Sequence, residues 1–337
     1  MKPKPAFLSG VDHGTDKSAI ALIVNHMALR TALIIATKGR PEVLSRLLAH
    51  LGAQSVPPAR IVVSATGPED IAPEDAATTR TLAGTPVDII FGAAGLCAQR
   101  NRALMAIRED VDIVAFLDDD FIPSHFWIER LQQVMAVRSD IVIVSGLVLA
   151  DGAGFGGIEW ADGLAMVEAH DRVATSAGFA DSKVRSGISP YGCNMIFRSA
   201  AIQDTLFDEH LVLYGWLEDL DFSLRTAGAG SISRVRWTSM IWTDYLWGVH
   251  LGTRKARVSG LRFGYSQVAN SWYLMLKGVL PPYYAACNIL RCCIGNAVGF
   301  LRGSDPWCDR RGQLAGNFLA LKDVLLGRSR PERAAEL

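Results

Sequence analysis

Val111-Asp-Ile-Val-Ala-Phe-Leu117 and, directly after it, Asp118, Asp119 and Asp120 form the stretch from which the fold is read. The β-branched and aromatic content of Val111–Leu117, and its length, are those of a buried strand. Three carboxylates cannot follow such a strand into a core, because an unpaired buried carboxylate costs far more than its neighbours return. They are placed at the strand's C-terminal edge, where open α/β sheets bind ligands. Like charges this close repel, and a bound divalent cation relieves them. Hard oxygen ligands suit Mg²⁺ or Mn²⁺ shared with a substrate phosphate. The structural alternative is an acidic surface turn, or a cap for a helix beginning near Pro123, but a cap needs one carboxylate rather than three.

Upstream, Thr31-Ala-Leu-Ile-Ile-Ala-Thr37 reads as a first strand, followed by Lys38-Gly39-Arg40-Pro41 and a helix over Glu42–Leu51 that Pro41 is placed to start. Arg60–Ser64 and Val87–Phe91 read as further strands, with a helix near Leu96–Arg108 after Gly92–Gly95. Downstream, a helix is expected around Pro123–Val137 and a strand over Ile141–Leu147. Strands alternating with helical patterns imply βαβ units and a doubly wound, mostly parallel sheet with helices on both faces, an α/β fold. No clean period governs Ile158–Ser186, which reads as loop and short helix. Gly192–Arg198 returns to a strand, and Trp216–Thr226 to a helix with acids near its start, where the dipole favours them.

The chain has 337 residues, half of them hydrophobic and a fifth charged, enough for a substantial core. Its formal charge of zero conceals an asymmetry. From Leu251 onward there are 13 Lys and Arg against 5 Asp and Glu, and the first 250 residues carry 21 against 29. An acidic body and a basic tail point to an anionic partner for the tail. The six cysteines form no pair of CxxC motifs, so neither a zinc site nor a disulfide framework is expected, which suits a reducing cytosol. Ala19–Leu29 is too short and too interrupted to span a bilayer, and no signal peptide or transmembrane helix is expected. Gly95-Leu-Cys-Ala-Gln-Arg100 is not a GxGxxG fingerprint, which leaves a dehydrogenase without support.

A second acidic group lies in Tyr214-Gly-Trp-Leu-Glu218-Asp219-Leu-Asp221-Phe-Ser-Leu-Arg225. Asp221 and Arg225 form a simple i,i+4 ion pair, and Asp219 alone reads as a helix N-terminal acid. The order Ile34-Ile-Ala-Thr37-Lys-Gly-Arg40-Pro41, Gly95-Leu-Cys-Ala-Gln-Arg100-Asn101, Phe116-Leu-Asp118-Asp-Asp120, Gly192-Cys-Asn194 and Glu218-Asp219-Leu-Asp221 resembles a family-2 glycosyltransferase of the GT-A fold. The resemblance runs from about Thr31 to His250. It divides the chain into an N-terminal extension (1–30), a nucleotide-sugar-binding catalytic domain (31–250) and a basic, apolar helical region (251–337).

What the resemblance implies is specific. Asp118 and Asp120 match the DxD motif, the second Asp a metal ligand on the donor diphosphate and the first near the ribose, with Asp119 between them. Thr37 and Arg40 match the loop that frames the nucleotide, and Arg100 an Arg near base or phosphate. Asp219 matches the catalytic base, with Glu218 beside it. His250 is placed like a His that completes the metal shell, although a lone His is otherwise structural. Gly192, Cys193 and Asn194 are implied near the donor sugar or acceptor, together with Trp216. Ser64 stands where many relatives carry an Asp that holds the nucleotide, so a UDP-sugar is favoured but GDP- and dTDP-sugars stay open. The implied activity is metal-dependent, inverting transfer to a glycan or lipid-linked glycan in cell-surface polysaccharide or glycolipid synthesis. The implied place is cytoplasmic, peripheral on the inner face of the cell membrane, and no nucleic-acid partner is expected. The alternatives are a sugar-nucleotide nucleotidyltransferase, which would want more than the one Gly in Thr37–Pro41, and a non-catalytic cation-dependent carbohydrate-binding relative.

In the tail, Tyr283–Leu301 is nearly long enough to span a membrane, yet Asn288, Arg291, Gly295 and Arg302 recur at helical spacing. Such a stripe fits an amphipathic helix at an anionic membrane surface, or a packed helix whose stripe faces water. Leu314, Phe318, Leu321 and Leu325 make another apolar face, which Gly327 ends and Arg328, Arg330 and Arg333 follow.

Overall fold

The computed structural model describes residues 29–75, 79–107, 111–174, 178–187, 189–202, 204–228, 235–253, 259–303 and 307–337. The expected N-terminal extension lies almost wholly outside the described residues, as do Arg108, Arg254, Lys255 and Arg257.

The first half follows the expected rhythm. Strand β1 (Thr31–Ala36) leads through Pro41 into α1 (Pro41–Leu51), then β2 (Arg60–Ala65), β3 (Thr79–Leu82) and β4 (Thr85–Phe91). Next come α2 (Leu96–Ala106), β5 (Ile113–Asp118), β6 (Phe121–Pro123), α3 (Trp127–Val137) and β7 (Ile143–Asp151). Then follow α4 (Trp160–Ala174), β8 (Val184–Ser186), β9 (Asn194–Arg198), α5 (Glu218–Ala227) and β10 (Met240–His250). The strands form one sheet in the order β3-β4-β2-β1-β5-β9-β7-β10-β6, with β8 on β10. β4, β2, β1 and β5 are parallel neighbours, as are β7 and β10, while β9 runs antiparallel between β5 and β7. The chain winds from β1 outward through β2 and β4, then returns to lay β5 on the other side of β1. That reversal opens a crevice beyond the C-terminal ends of β1 and β5, the general ligand site of such sheets.

Alternation within the strands sorts the core into two layers. Leu33, Ile35, Ile61, Val63, Ala115 and Leu117 pack on one face against Leu44 and Leu48 of α1 and Trp127 and Leu131 of α3. Ala32, Ile34, Val62, Val114 and Phe116 pack on the other against Cys97 and Leu104 of α2 and Phe222 of α5.

Two expectations are corrected. The helix expected from Pro123 starts at Trp127, because Phe121–Pro123 pairs antiparallel with Gly248–His250 as an edge strand. The stretch read as loop and short helix contains α4, a helix of fifteen residues. Its Gly163 weakens the helical signal but lets the helix seat on the sheet, since a Cβ there would lie 2.7 Å from Leu251.

The C-terminal region is helical: α6 (Gly260–Leu276), α7 (Pro282–Arg302), α8 (Arg310–Leu325) and α9 (Arg333–Glu336). Leu274 of α6 and Ala285 of α7 join the second core layer, so these helices are anchored to the sheet domain. The tail's amphipathicity runs opposite to expectation. Ala285, Asn288, Cys292, Asn296 and Gly299 of α7 face inward, and Gln313, Gly316, Asn317 and Asp323 of α8 do the same. The asparagines are satisfied by one another and by α6, which is why they can be buried: Asn288 donates to Ser271 at 2.8 Å, and Asn296 to Gln267 at 2.8 Å and Asn317 at 2.7 Å. Phe318 and Leu325, read as part of a second apolar face, are 64% and 87% exposed. Arg333 and Arg328 approach the buried Asp323, and Arg330 pairs with Glu336, so this trio is engaged within the region.

α6 and α8 cross with their backbones touching, because Gly264 and Gly316 meet there. A Cβ on Gly316 would fall 2.1 Å from the Leu261 carbonyl oxygen. Gly316→Ala is expected to push the helices apart at a cost of about 1–3 kcal/mol, read as a lower thermal midpoint. An unchanged midpoint would show that the crossing is looser than drawn.

Candidate active site

The crevice is built from four loop ends. β5 delivers Asp118 at its last residue, and the turn to β6 delivers Asp119 and Asp120. β10 delivers His250 at its last residue, and the N-terminus of α5 delivers Glu218 and Asp219. The chain enters α5 through Leu213 (φ 61°), Gly215 (φ 68°) and Leu217 (φ 72°). Two leucines in the left-handed region are costly conformations, tolerated where surrounding structure dictates them. Here they drop the two acids into the crevice.

Buried Arg100 joins the two acidic groups. Its guanidinium donates to Glu218 Oε1 at 2.7 Å, to Asp118 Oδ1 at 3.1 Å and to the Gly192 carbonyl at 2.9 Å. The ring of Phe207 lies 5.4 Å beneath it. The sequence reading set Arg100 beside base or phosphate; at 2% exposure it instead ties the acids of β5 and α5 together. Glu218 is buried with one oxygen committed to Arg100, and burial and the adjacent Asp219 push its carboxyl up to about 8. Asp219 is half-buried, accepting from the Gly192 N–H at 3.2 Å and the Leu220 N–H at 2.7 Å. Burial raises its pKa while those two N–H groups and Arg100 moderate the rise.

On the other side, Asp118, Asp120 and His250 bring one ligand atom each within 4.8 Å of one another. His250 Nε2 lies 3.4 Å from Asp120 and 4.0 Å from Asp118, while its Nδ1 sits 2.8 Å from Asp151. That leaves Nε2 as the nitrogen aimed at the pair of carboxylates. Two carboxylates and an imidazole whose far nitrogen is already held are a fitting donor set for Mg²⁺ or Mn²⁺. Burial opposes charge on His250, but the hydrogen bonds that its ring N–H groups donate to Asp120 and Asp151 outweigh it and push its pKa up to about 10. Burial also works to raise Asp120, yet His250, Arg40 and the Thr253 N–H hold it below the ordinary carboxylate range.

Asp119 turns away from that group. It accepts from Thr37 Oγ1 at 2.6 Å and pairs with Arg40 at 2.9 Å, so it fastens the β1 loop to the β5 turn. Arg40 also reaches Asp120, at 3.2 Å. Ser64 is fully buried, and its hydroxyl accepts from Arg102 at 2.9 Å; the polar group toward solvent at this strand end is therefore Arg102. Gly192 lies directly under Asp219, Glu218 and Arg100, where a Cβ would come within 3.2 Å of Glu218. Cys193 and Asn194, expected near the sugar or acceptor, are buried: Cys193, just before β9, belongs to the core, and Asn194, the first residue of β9, accepts from Ser145 at 2.9 Å. Trp216, on the approach to α5, sets its ring edge on Phe263, which Tyr214 also meets, making an aromatic wall.

Three contributors escaped the sequence reading. Asp70 takes the N–H groups of Gly39 at 2.5 Å and Thr66 at 2.7 Å, fixing the β1 and β2 loops together. Asp151 holds His250, and Tyr191 donates to Asp151 at 3.0 Å. None belongs to a short motif. Only the positions of Asp151 and Asp70 at or just past strand ends could have marked them.

Sheet order, crevice and paired acids together define a sugar-transferring enzyme of the GT-A type. The family described as Glycosyl transferase family 2 matches residues 32–201, half of the chain, and the chain belongs to that family. Among solved structures it is similar to the crystal structure of S. aureus TarS residues 1–349, with 14% identity, a TM-score of 0.50, and 91% of this chain and 82% of that one covered. It is likewise similar to the same fragment in complex with UDP-GlcNAc, with 15% identity, a TM-score of 0.53, and coverage of 91% and 83%. None of the curated proteins matches.

Arg100→Met would keep the side chain's bulk and leave the buried Glu218 and the half-buried Asp118 without their counter-ion. The expected loss is about 3–5 kcal/mol in denaturant titration at pH 8. Folding already raises Glu218 from its ordinary 4.5 to about 8, so this group's stabilising contribution is present below 4.5 and lost as pH rises through 8. Removing Arg100 enlarges that upward shift, and the loss at pH 5 is therefore expected to be the smaller. Equal losses at both pH values would reduce Arg100 to a packing element.

Proposed function

We propose that the enzyme moves a sugar from a nucleoside-diphosphate donor to a hydroxyl acceptor in one displacement that inverts the anomeric centre. The observation that carries this reading is that Arg100 joins Asp118 of the Asp118–Asp120–His250 group to Glu218 and Gly192, whose N–H holds Asp219, so that both acidic groups meet at one crevice. The Asp219 group suits a proton acceptor and the other a diphosphate with its cation. The UDP-GlcNAc complex of TarS supports a UDP-sugar as the first donor to test, with GDP- and dTDP-sugars behind it.

In this reading Thr37 and Arg40 frame the nucleotide, and Arg102 takes the place that an Asp fills in many relatives. Asp118, Asp120 and His250 would hold Mg²⁺ or Mn²⁺, which when bound neutralises charge on the leaving diphosphate. Asp219 takes the acceptor's proton as its oxygen bonds to the anomeric carbon and the bond to the diphosphate breaks, the electron pair leaving with the diphosphate. Glu218, committed to Arg100, positions rather than abstracts. Trp216, Tyr214 and Phe263 offer an apolar face for an acceptor sugar ring. The catalytic unit runs over 31–250, with 251–337 as its helical appendage. We place its acceptor, a glycan or lipid-linked glycan, at the cytoplasmic face of the cell membrane, in cell-surface polysaccharide or glycolipid assembly. The family resemblance and the basic tail support that placement.

Two substitutions separate the roles. Asp120→Ala is expected to abolish both turnover and Mn²⁺-dependent nucleotide binding by calorimetry; retained, Mn²⁺-dependent binding would move the cation elsewhere. Asp219→Asn should keep donor affinity while kcat falls roughly 10²–10⁴-fold, the range for a lost general base. A matching loss of donor affinity would give Asp219 a structural role, and a larger purely kinetic loss in Glu218→Gln would transfer the base to Glu218.

A further inference from the structure

Helix α7 turns its apolar side outward. Tyr283, Cys287, Leu290, Ile294, Val298 and Leu301 follow one another at steps of three and four and are all exposed, Tyr283 at 72% and Leu301 at 81%. At ~1.5 Å per residue this stripe runs about 27 Å along the helix. The helix has the length and hydropathy of a membrane-crossing segment, with only 17% of its most apolar window buried in the protein. Crossing is opposed by its other side. Asn288 and Asn296 are hydrogen-bonded to Ser271 and Gln267 of α6 and to Asn317 of α8, and Arg310 donates to Asn296 at 3.2 Å. Leaving the body would strand these buried polar groups, each at the cost of an unmade hydrogen bond. A seat against a surface keeps every one of them.

Charge identifies the surface. The 21 residues of α7 include Arg291 and Arg302, both exposed, and no Asp or Glu. Pairing with a second copy of the same face would bring arginines to an interface whose helix supplies no carboxylate, because a two-fold contact offers only its own residues. A bilayer containing anionic lipid supplies both halves of the complement: hydrocarbon for the stripe and phosphate for the arginines, whose stems lie along the apolar surface while their heads reach the headgroups. We propose that the outer face of α7 lies in the plane of an anionic membrane surface and seats the enzyme there, side-on. This deepens the peripheral placement given above and rests on it.

The test uses the full chain and phosphatidylcholine vesicles with or without phosphatidylglycerol, in the absence of donor and acceptor. The wild type is expected to co-sediment with the anionic vesicles. Added salt should weaken that binding without erasing it, because apolar burial is not screened. Leu290→Asp with Ile294→Asp, both at exposed positions, should lower vesicle binding roughly tenfold or more. Arg291→Glu with Arg302→Glu should remove the preference for anionic lipid and leave the apolar share. Both variants should keep wild-type turnover on a soluble acceptor. Unchanged vesicle binding in the Leu290/Ile294 variant overturns the proposal. So does a vesicle-indifferent wild type that sediments as a dimer and that Leu290→Asp turns into a monomer, which would make the face an interface between copies. Vesicle binding that responds to the variants in a chain that fails to transfer sugar would uphold the seat and count against the transferase reading instead.

Discussion

The site depends on one buried cation. Arg100 is fixed by α2, yet all its partners come from elsewhere: Asp118 from β5, Glu218 from α5 and the carbonyl of Gly192 from the approach to β9. A guanidinium is well suited to this place because it is planar, holds its charge when buried and presents donors in several fixed directions. Two buried carboxylates without it would repel, and folding would have to protonate them or expel them to water. With it, acids a hundred residues apart in sequence face one crevice, and Asp219 is left as the acid whose oxygens meet only backbone N–H groups. The difference between Glu218 and Asp219 follows from which of them Arg100 occupies: Glu218 is committed to the guanidinium, and Asp219 is not.

The Asp118–Asp120–His250 side of the crevice is arranged around a second constraint, the orientation of an imidazole. His250 could rotate or shift its proton, but Asp151 at Nδ1 removes that freedom and Tyr191 steadies Asp151 in turn. Asp119 and Asp70 do comparable work on the backbone, one fastening Thr37 and Arg40 to the β5 turn and the other joining the loops after β1 and β2. Much of the acidity near the crevice therefore shapes loops.

The strands that position the site were legible because each is a short apolar run closed by polar residues, and β1, β2, β4 and β5 came within a few residues of their expected bounds. The Asp triplet was legible for the reason that three carboxylates have nowhere else to go. Its division of labour was not: only the folded loop decides that Asp119 turns to Thr37 while its neighbours turn to His250. Motif adjacency set Cys193 and Asn194 near the sugar or acceptor; Asn194 pairs with Leu117 of β5, and Cys193 just before it is buried in the core. The helix α4 was hidden by Gly163, whose packing value is visible only beside Leu251. The tail failed most instructively. Its polar stripe was read as facing water, since asparagine is ordinarily left outside; three mutually satisfied amides on three helices, Gln267, Asn296 and Asn317, reversed the sense of the face.

The fastening at the end of β10 has a bearing on how the chain comes to its native state. Asp120 accepts from the Thr253 N–H, 133 positions further along, in the same neighbourhood where His250 approaches the carboxylates. Closing so long a loop is entropically slow, and contacts of such separation tend to form late. During synthesis the first strands and both carboxylates of the turn emerge well before their histidine does. A nascent or truncated chain thus carries the acidic turn without its clamp, and has no ready pocket in which to sequester a divalent ion. Ion capture at this place would report completion of the whole sheet, down to its last long strand, and not the local order of the Asp triplet.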